Sequence, residues 1–140
     1  MDLDEAFSVL RGKNIPVPRP MRLPTVTEVD ETERKLAVTF HPDFRRYLVE
    51  VSDVVCGVVE PVTITRAGSH TDLSKVAGVA WNRYGVPREL TPICESNADF
   101  YCMNDAGEVV FWSHNGWSAE KWSCLANWIE EVWLEDVDAT

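Results

Sequence analysis

Cys102, Asp105 and His114 are the residues of this chain whose types and order come nearest to a reaction centre. A thiol, a carboxylate and an imidazole are the parts of a nucleophile, orienter and base, and a hairpin could bring these three into one neighbourhood. Alternation along the strand places Cys102 on the same side as Phe100, which favours a buried, unreactive thiol over a catalytic one. The other cysteines, Cys56, Cys94 and Cys124, form no close pair, and His41, His70 and His114 supply no second pair, so zinc-ligand spacing is missing. Phosphate-binding glycine loops, the nucleophile elbow and the paired-histidine metalloprotease helix are also missing from the sequence. No catalytic, cofactor or metal site is expected, and reduced thiols are expected in place of disulfides.

Charge and indoles are the more informative chemistry. Of 23 acids and 13 bases in 140 residues, positions 95 to 140 hold ten acids and the single base Lys121, a net charge of -9 out of -10. Such a field repels nucleic-acid phosphate and anionic lipid and speeds encounter with a basic partner. Five of the six tryptophans (Trp112, Trp117, Trp122, Trp128 and Trp133) fall in the same third. Tryptophan serves both cores and binding hot spots. Most of these indoles are expected inside, with Trp117 or Trp128 at the surface.

The elements that must position these groups are legible from spacing. Leu3, Ala6, Phe7 and Leu10 make an amphipathic helix after Asp2, and prolines at 16, 18, 20 and 24 then impose an extended connector. Thr25 and Glu28 have capping-box spacing for a second helix to Leu36, while His41-Pro42-Asp43 opens a third with Phe44, Tyr47, Leu48 and Val51 inward and Arg45 and Arg46 outward. The β-branched residues from Val54 to Thr65 predict one or two strands. Ser69 or Thr71 would cap a helix through Leu73, Val76, Ala77, Ala80 and Trp81, ended by Gly85 and Pro87. Leu90 to Cys94 reads as a strand near a sheet edge. Asp99 to Met103 and Glu108 to Ser113, joined by Asn104-Asp105-Ala106-Gly107, read as a hairpin. A last helix over Trp122 to Glu135 places Trp122, Leu125, Ala126, Ile129, Val132 and Trp133 inward and Trp128 about 90° away, at the rim beside Glu131 and Glu135.

Glu33-x-x-Leu36-x-x-x-Phe40-His41-Pro42-Asp43-Phe44-Arg45-Arg46-Tyr47-Leu48 resembles the opening signature of the SUKH superfamily, the group of yeast Smi/Knr-type cell-wall regulators and many bacterial immunity proteins. Pro87 to Ile93, the Asp99 to His114 hairpin and Trp128-Ile-x-x-Val132 follow in the family's order, so the resemblance covers about residues 24 to 135. It departs at Ser52 to Gly57, where the family has an Asn-Gly-Gly-like turn. The resemblance implies an α+β domain with a mixed, mostly antiparallel sheet flanked by helices, over residues 24–137, preceded by a helix and connector over 1–23. It also implies a non-enzymatic protein-binding role, often neutralisation of a toxin.

The resulting expectation is a cytoplasmic immunity protein that occludes a cognate toxin domain through Asp99, Asp105, Glu108, His114, Trp117, Trp128, Glu131 and Glu135. Two alternatives belong to other classes: a regulatory or scaffolding module that binds another cellular protein or small ligand, and a thiol enzyme centred on Cys102.

Overall fold

Asp2, Thr25, His41 and Asp72 each turn a side-chain acceptor onto the first turn of a helix. These caps satisfy backbone donors that have no partner within the helix. They open α1 (Leu3–Gly12), α2 (Val26–Leu36), α3 (Pro42–Glu50) and α4, which runs over 73–83 as an α-helical part Leu73–Gly78 and a π-helical turn Val79–Arg83. At α2 the capping box is complete, with Glu28 N donating to Thr25 Oγ1 at 3.1 Å and Thr25 N donating to Glu28 Oε1 at 3.0 Å. The α4 cap is Asp72, not Ser69 or Thr71, whose hydroxyls lie 3.2 Å from each other instead. The computed structural model describes residues 1–116 and 118–138.

β1 (Thr91–Ser96), β2 (Asp99–Met103), β3 (Val109–Trp112) and β4 (Lys121–Trp122) follow one another in a single sheet in that order, and all three ladders are antiparallel. The chain is an α+β domain. α5 then occupies 125–138 in three runs, Leu125–Trp128, a π-helical turn Ile129–Trp133 and Leu134–Asp138. The helix expected from Trp122 thus starts later, because Lys121 and Trp122 pair with Val110 and Val109 as the fourth strand. The strands expected between Val54 and Thr65 are not formed: that stretch makes only isolated bridges, Pro61 to Cys94 and Thr63 to Asp72. Gly57 with φ 67° and Pro61 interrupt it, and its Val54 and Val62 enter the core from irregular backbone.

Both sheet faces carry aromatic rings. Tyr101 sits between Phe111 (4.8 Å), Trp122 (5.6 Å) and Trp128 (5.4 Å), while Trp133 links that face to Tyr47 of α3 at 6.3 Å. On the opposite face Phe100 meets Trp112 at 6.2 Å and Tyr84, just past α4, at 5.8 Å. α1 shares this core, since Ala6, Phe7 and Leu10 are buried in it. Arg11 grips Asp53 through its two terminal guanidinium nitrogens (3.0 and 2.7 Å) and donates to Glu50 O at 2.8 Å. Arg45 and Arg46 stand outside the core, partly exposed, and tie helices together there, Arg45 to Asp30 and Glu33 of α2, Arg46 to Asp4 of α1.

The β1–β2 connection is a two-residue turn between the paired Ser96 and Asp99, with Asn97 at φ 52° and Ala98 at φ 68°. Positive φ at both central positions is the type I′ pattern, which asparagine followed by glycine suits and alanine does not. Ala98→Gly is expected to stabilise the fold by about 0.5–1 kcal/mol, relief of left-handed strain outweighing the added freedom of the unfolded chain. Urea unfolding measures this, and a fall in stability at unchanged slope would contradict it.

Candidate protein-binding surface

The hairpin separates the residues expected to act together. Asp99 and His114 close one end of the β2–β3 ladder: the Asp99 carboxylate accepts from the His114 backbone N–H at 3.2 Å and lies 2.8 Å from His114 Nδ1. Asp105 and Glu108 belong to the connecting turn at the other end. Five strand residues at about 3.3 Å each put the two groups on the order of 15 Å apart. The orienting carboxylate of His114 is therefore Asp99. Sequence reasoning picked out both residues as acidic or imidazole contacts but paired His114 with Asp105; only the strand register places positions 99 and 114 side by side.

The turn is built by Asn104, whose side-chain oxygen accepts from Ala106 N at 3.1 Å and Glu108 N at 3.0 Å, while its amide donates to Glu108 Oε1 at 3.0 Å. This Asn104 bond and the neighbouring ammonium of Lys121, at 3.3 Å, hold the Glu108 carboxyl below its usual range. Asp105 is exposed at the tip. Gly107 is buried against His41 of α3, so the turn is anchored on the helical layer.

Glu131 and Glu135 are exposed one helical turn apart on α5. Trp128 is not at their rim. It is 1% exposed and lies against Tyr101 and, at 6.3 Å, Trp133. The physical reason is the π-helical turn Ile129–Trp133, which needs an extra residue per turn and shifts the phase of the buried stripe; a constant 100° per residue fails across it. Trp128 Nε1 is buried with no hydrogen-bond partner among the described residues, whereas Trp133 Nε1 donates to Cys56 O at 2.8 Å. Trp112 and Trp122 are half-buried, and Trp117 lies outside the described residues.

The thiol constellation is not assembled. Cys102 is wholly buried with its Sγ 3.9 Å from Phe100 O, and burial pushes its thiol up to about 12. It shares a face with Phe100 as the alternation requires, inside the core, whereas Asp105 is exposed in the turn. Cys94 is likewise pushed up to about 12, by burial first and also by the charges of Glu95 and Glu60. A reactive cysteine needs the opposite shift. Among the described residues there is no group of three His, Cys, Asp or Glu side chains placed to hold a metal ion, and no helix is long and apolar enough to cross a membrane.

The family model SUKH_5, SMI1-KNR4 cell-wall, matches residues 3–134. The chain belongs to this family. The match begins inside α1, so it includes the helix and proline connector that the sequence resemblance left out. A crystal structure of a protein from Pseudomonas syringae pv. tomato is similar to this SMI1-KNR4 chain with a TM-score of 0.89 and 42% identity, over 94% of this chain and 98% of that one. No curated protein matches. Membership in the SMI1-KNR4 family supports a protein-interaction or immunity-type domain.

Proposed function

We propose that this SMI1-KNR4 protein is a non-enzymatic immunity protein that binds a cognate toxin domain and blocks it by occlusion. The observation that carries the reading is the family match over residues 3–134. The concentration of acid in positions 95 to 140 supports a basic toxin, a nuclease among them, as the partner. The proposed contacts are the exposed carboxylates Asp105, Glu131 and Glu135, together with Glu108 and the Asp99–His114 pair. Trp128 is excluded by its burial, which leaves aromatic anchoring to other residues. These carboxylates would set the encounter rate and specificity more than the depth of affinity.

The test is capture of the partner of this chain from its native cell, followed by expression of any toxin-like domain so captured, with and without this chain. Restored growth and a stoichiometric complex are expected; no rescue and no complex would sink the reading. With that complex in hand, replacing Asp105, Glu108 and Glu131 by Asn, Gln and Gln is expected to lower the association rate constant several-fold at low salt and much less at about 1 M salt, where charges are screened within about 3 Å. Stopped-flow mixing measures the change, and an unaltered rate constant removes this surface from the interface.

A further inference from the structure

A cavity of about 160 Å³ opens beside the edge strand β1, away from the hairpin turn and the outer face of α5. Its floor is apolar and buried, formed by Val62, Val76 and Cys94, with Tyr101 as one wall. Its rim is exposed and acidic, with Glu60 and Glu95 standing on it. Small-molecule sites usually enclose about 300–1,000 Å³, so this volume suits one side chain.

The two rim carboxylates are positioned. One oxygen of Glu95 accepts from Ala98 N at 2.7 Å, and one oxygen of Glu60 lies 2.6 Å from His70 Nε2. Each leaves its second oxygen directed to no partner among the described residues. The lip carries Val58, a large hydrophobic residue that is 81% exposed. Apolar floor, apolar lip and two anchored anions together select a ligand with an aliphatic group between cations.

We propose that this cavity is a docking site for a basic segment of a partner protein, which inserts one aliphatic side chain into the floor while flanking lysines or arginines pair with Glu60 and Glu95. Charge complementarity fixes the occupant: an acidic segment would meet two carboxylates, and a bare lysine inserted head-first would bury its ammonium against valine and thiol without a counter-ion. The same negative field is felt by Cys94: burial first, and then the charges of Glu95 and Glu60, disfavour its thiolate, against a backbone hydrogen bond from Glu60 that favours it.

The site adjoins the surface proposed for toxin recognition where Ser96 pairs with Asp99, but its test does not require a toxin. The probes are four capped peptides, Lys-Leu-Lys, Lys-Ser-Lys, Glu-Leu-Glu and Glu-Ser-Glu, titrated into the full chain and followed by amide chemical shifts. Lys-Leu-Lys is expected to shift Val58 to Val62, Cys94 to Ser96 and Tyr101 in a saturable way. Lys-Ser-Lys and Glu-Leu-Glu are expected to bind at least five-fold more weakly, and Glu-Ser-Glu not at all. Glu60→Gln with Glu95→Gln is expected to remove the advantage of lysine over glutamate while leaving the unfolding midpoint in place. Equal affinity for leucine and serine peptides, shifts spread over the acidic surface at large, or an unaltered lysine preference in the double variant would each overturn the proposal. None of these results would disturb the growth-rescue test of the immunity reading.

Discussion

Trp128→Ala is expected to remove about 3–5 kcal/mol of folding stability, the range for deleting a fully buried indole and leaving a cavity. The side chain is 1% exposed and in ring contact with both the sheet, through Tyr101, and its own helix, through Trp133. A surface anchor would respond differently: its removal would weaken a complex and leave the free protein within about 0.5 kcal/mol of the wild type. Urea denaturation of the isolated protein separates these outcomes, and a change of that small size would contradict the burial described here. The phenylalanine variants sharpen the test. Trp128 Nε1 has no partner to lose, so Trp128→Phe is expected to cost only the contacts and cavity of the deleted ring atoms, less than Trp128→Ala. Trp133→Phe removes the indole N–H that donates to Cys56 O and is expected to cost about 0.5–1.5 kcal/mol more than the change of shape, the net value of one hydrogen bond. Equal costs for the two phenylalanine variants would show that the Trp133 bond has no net value.

Gly107→Ala is expected to be the most damaging single-methyl addition in the hairpin, at about 2–3 kcal/mol. Two effects combine. Gly107 has φ 87°, where a residue with a β-carbon loses about 1–2 kcal/mol. A β-carbon there would lie 2.6 Å from His41 Nε2. The imidazole cannot simply swing aside, because its Nδ1 accepts from Asp43 N at 3.1 Å and caps α3; losing a cap costs about 1 kcal/mol. In a His41→Ala background the steric part disappears, so Gly107→Ala is expected to cost only its backbone strain. Thermal or urea unfolding of the four proteins in this cycle measures the coupling, and a coupling energy near zero would mean that the turn and α3 do not lean on each other.

That contact shows why the surface could be read only in part from spacing. The Asn104 to Gly107 turn is evident from its residue types, and so is the helix start at His41-Pro42-Asp43. Nothing in either pattern says that the two meet across more than sixty positions. Likewise the carboxylates of the closing third were visible as charge, but their distribution was not: Asp99 with His114 at one end of a ladder, Asp105 with Glu108 at the other, Glu131 and Glu135 on a helix. The cavity beside β1 has no local signature in the sequence, because Glu60 and Glu95 belong to different segments, brought near by the bridge of Pro61 to Cys94.

The sequence by itself determined the capping box of α2, the start of α3 at Pro42, the amphipathic faces of α1 to α3, the β2–β3 hairpin, the negative balance of positions 95 to 140 and the family signature. Each depends on residues only a few positions apart, where hydrogen bonds and side-chain periodicity are governed by local backbone geometry. Tertiary structure decided the rest: the burial of Trp128, the choice of Asp99 as the partner of His114, the recruitment of Trp122 into a strand and the irregular path of 54–65. These depend on strand register and on a π-helical turn, and either one, changed by a single residue, rotates every later side chain onto a different face.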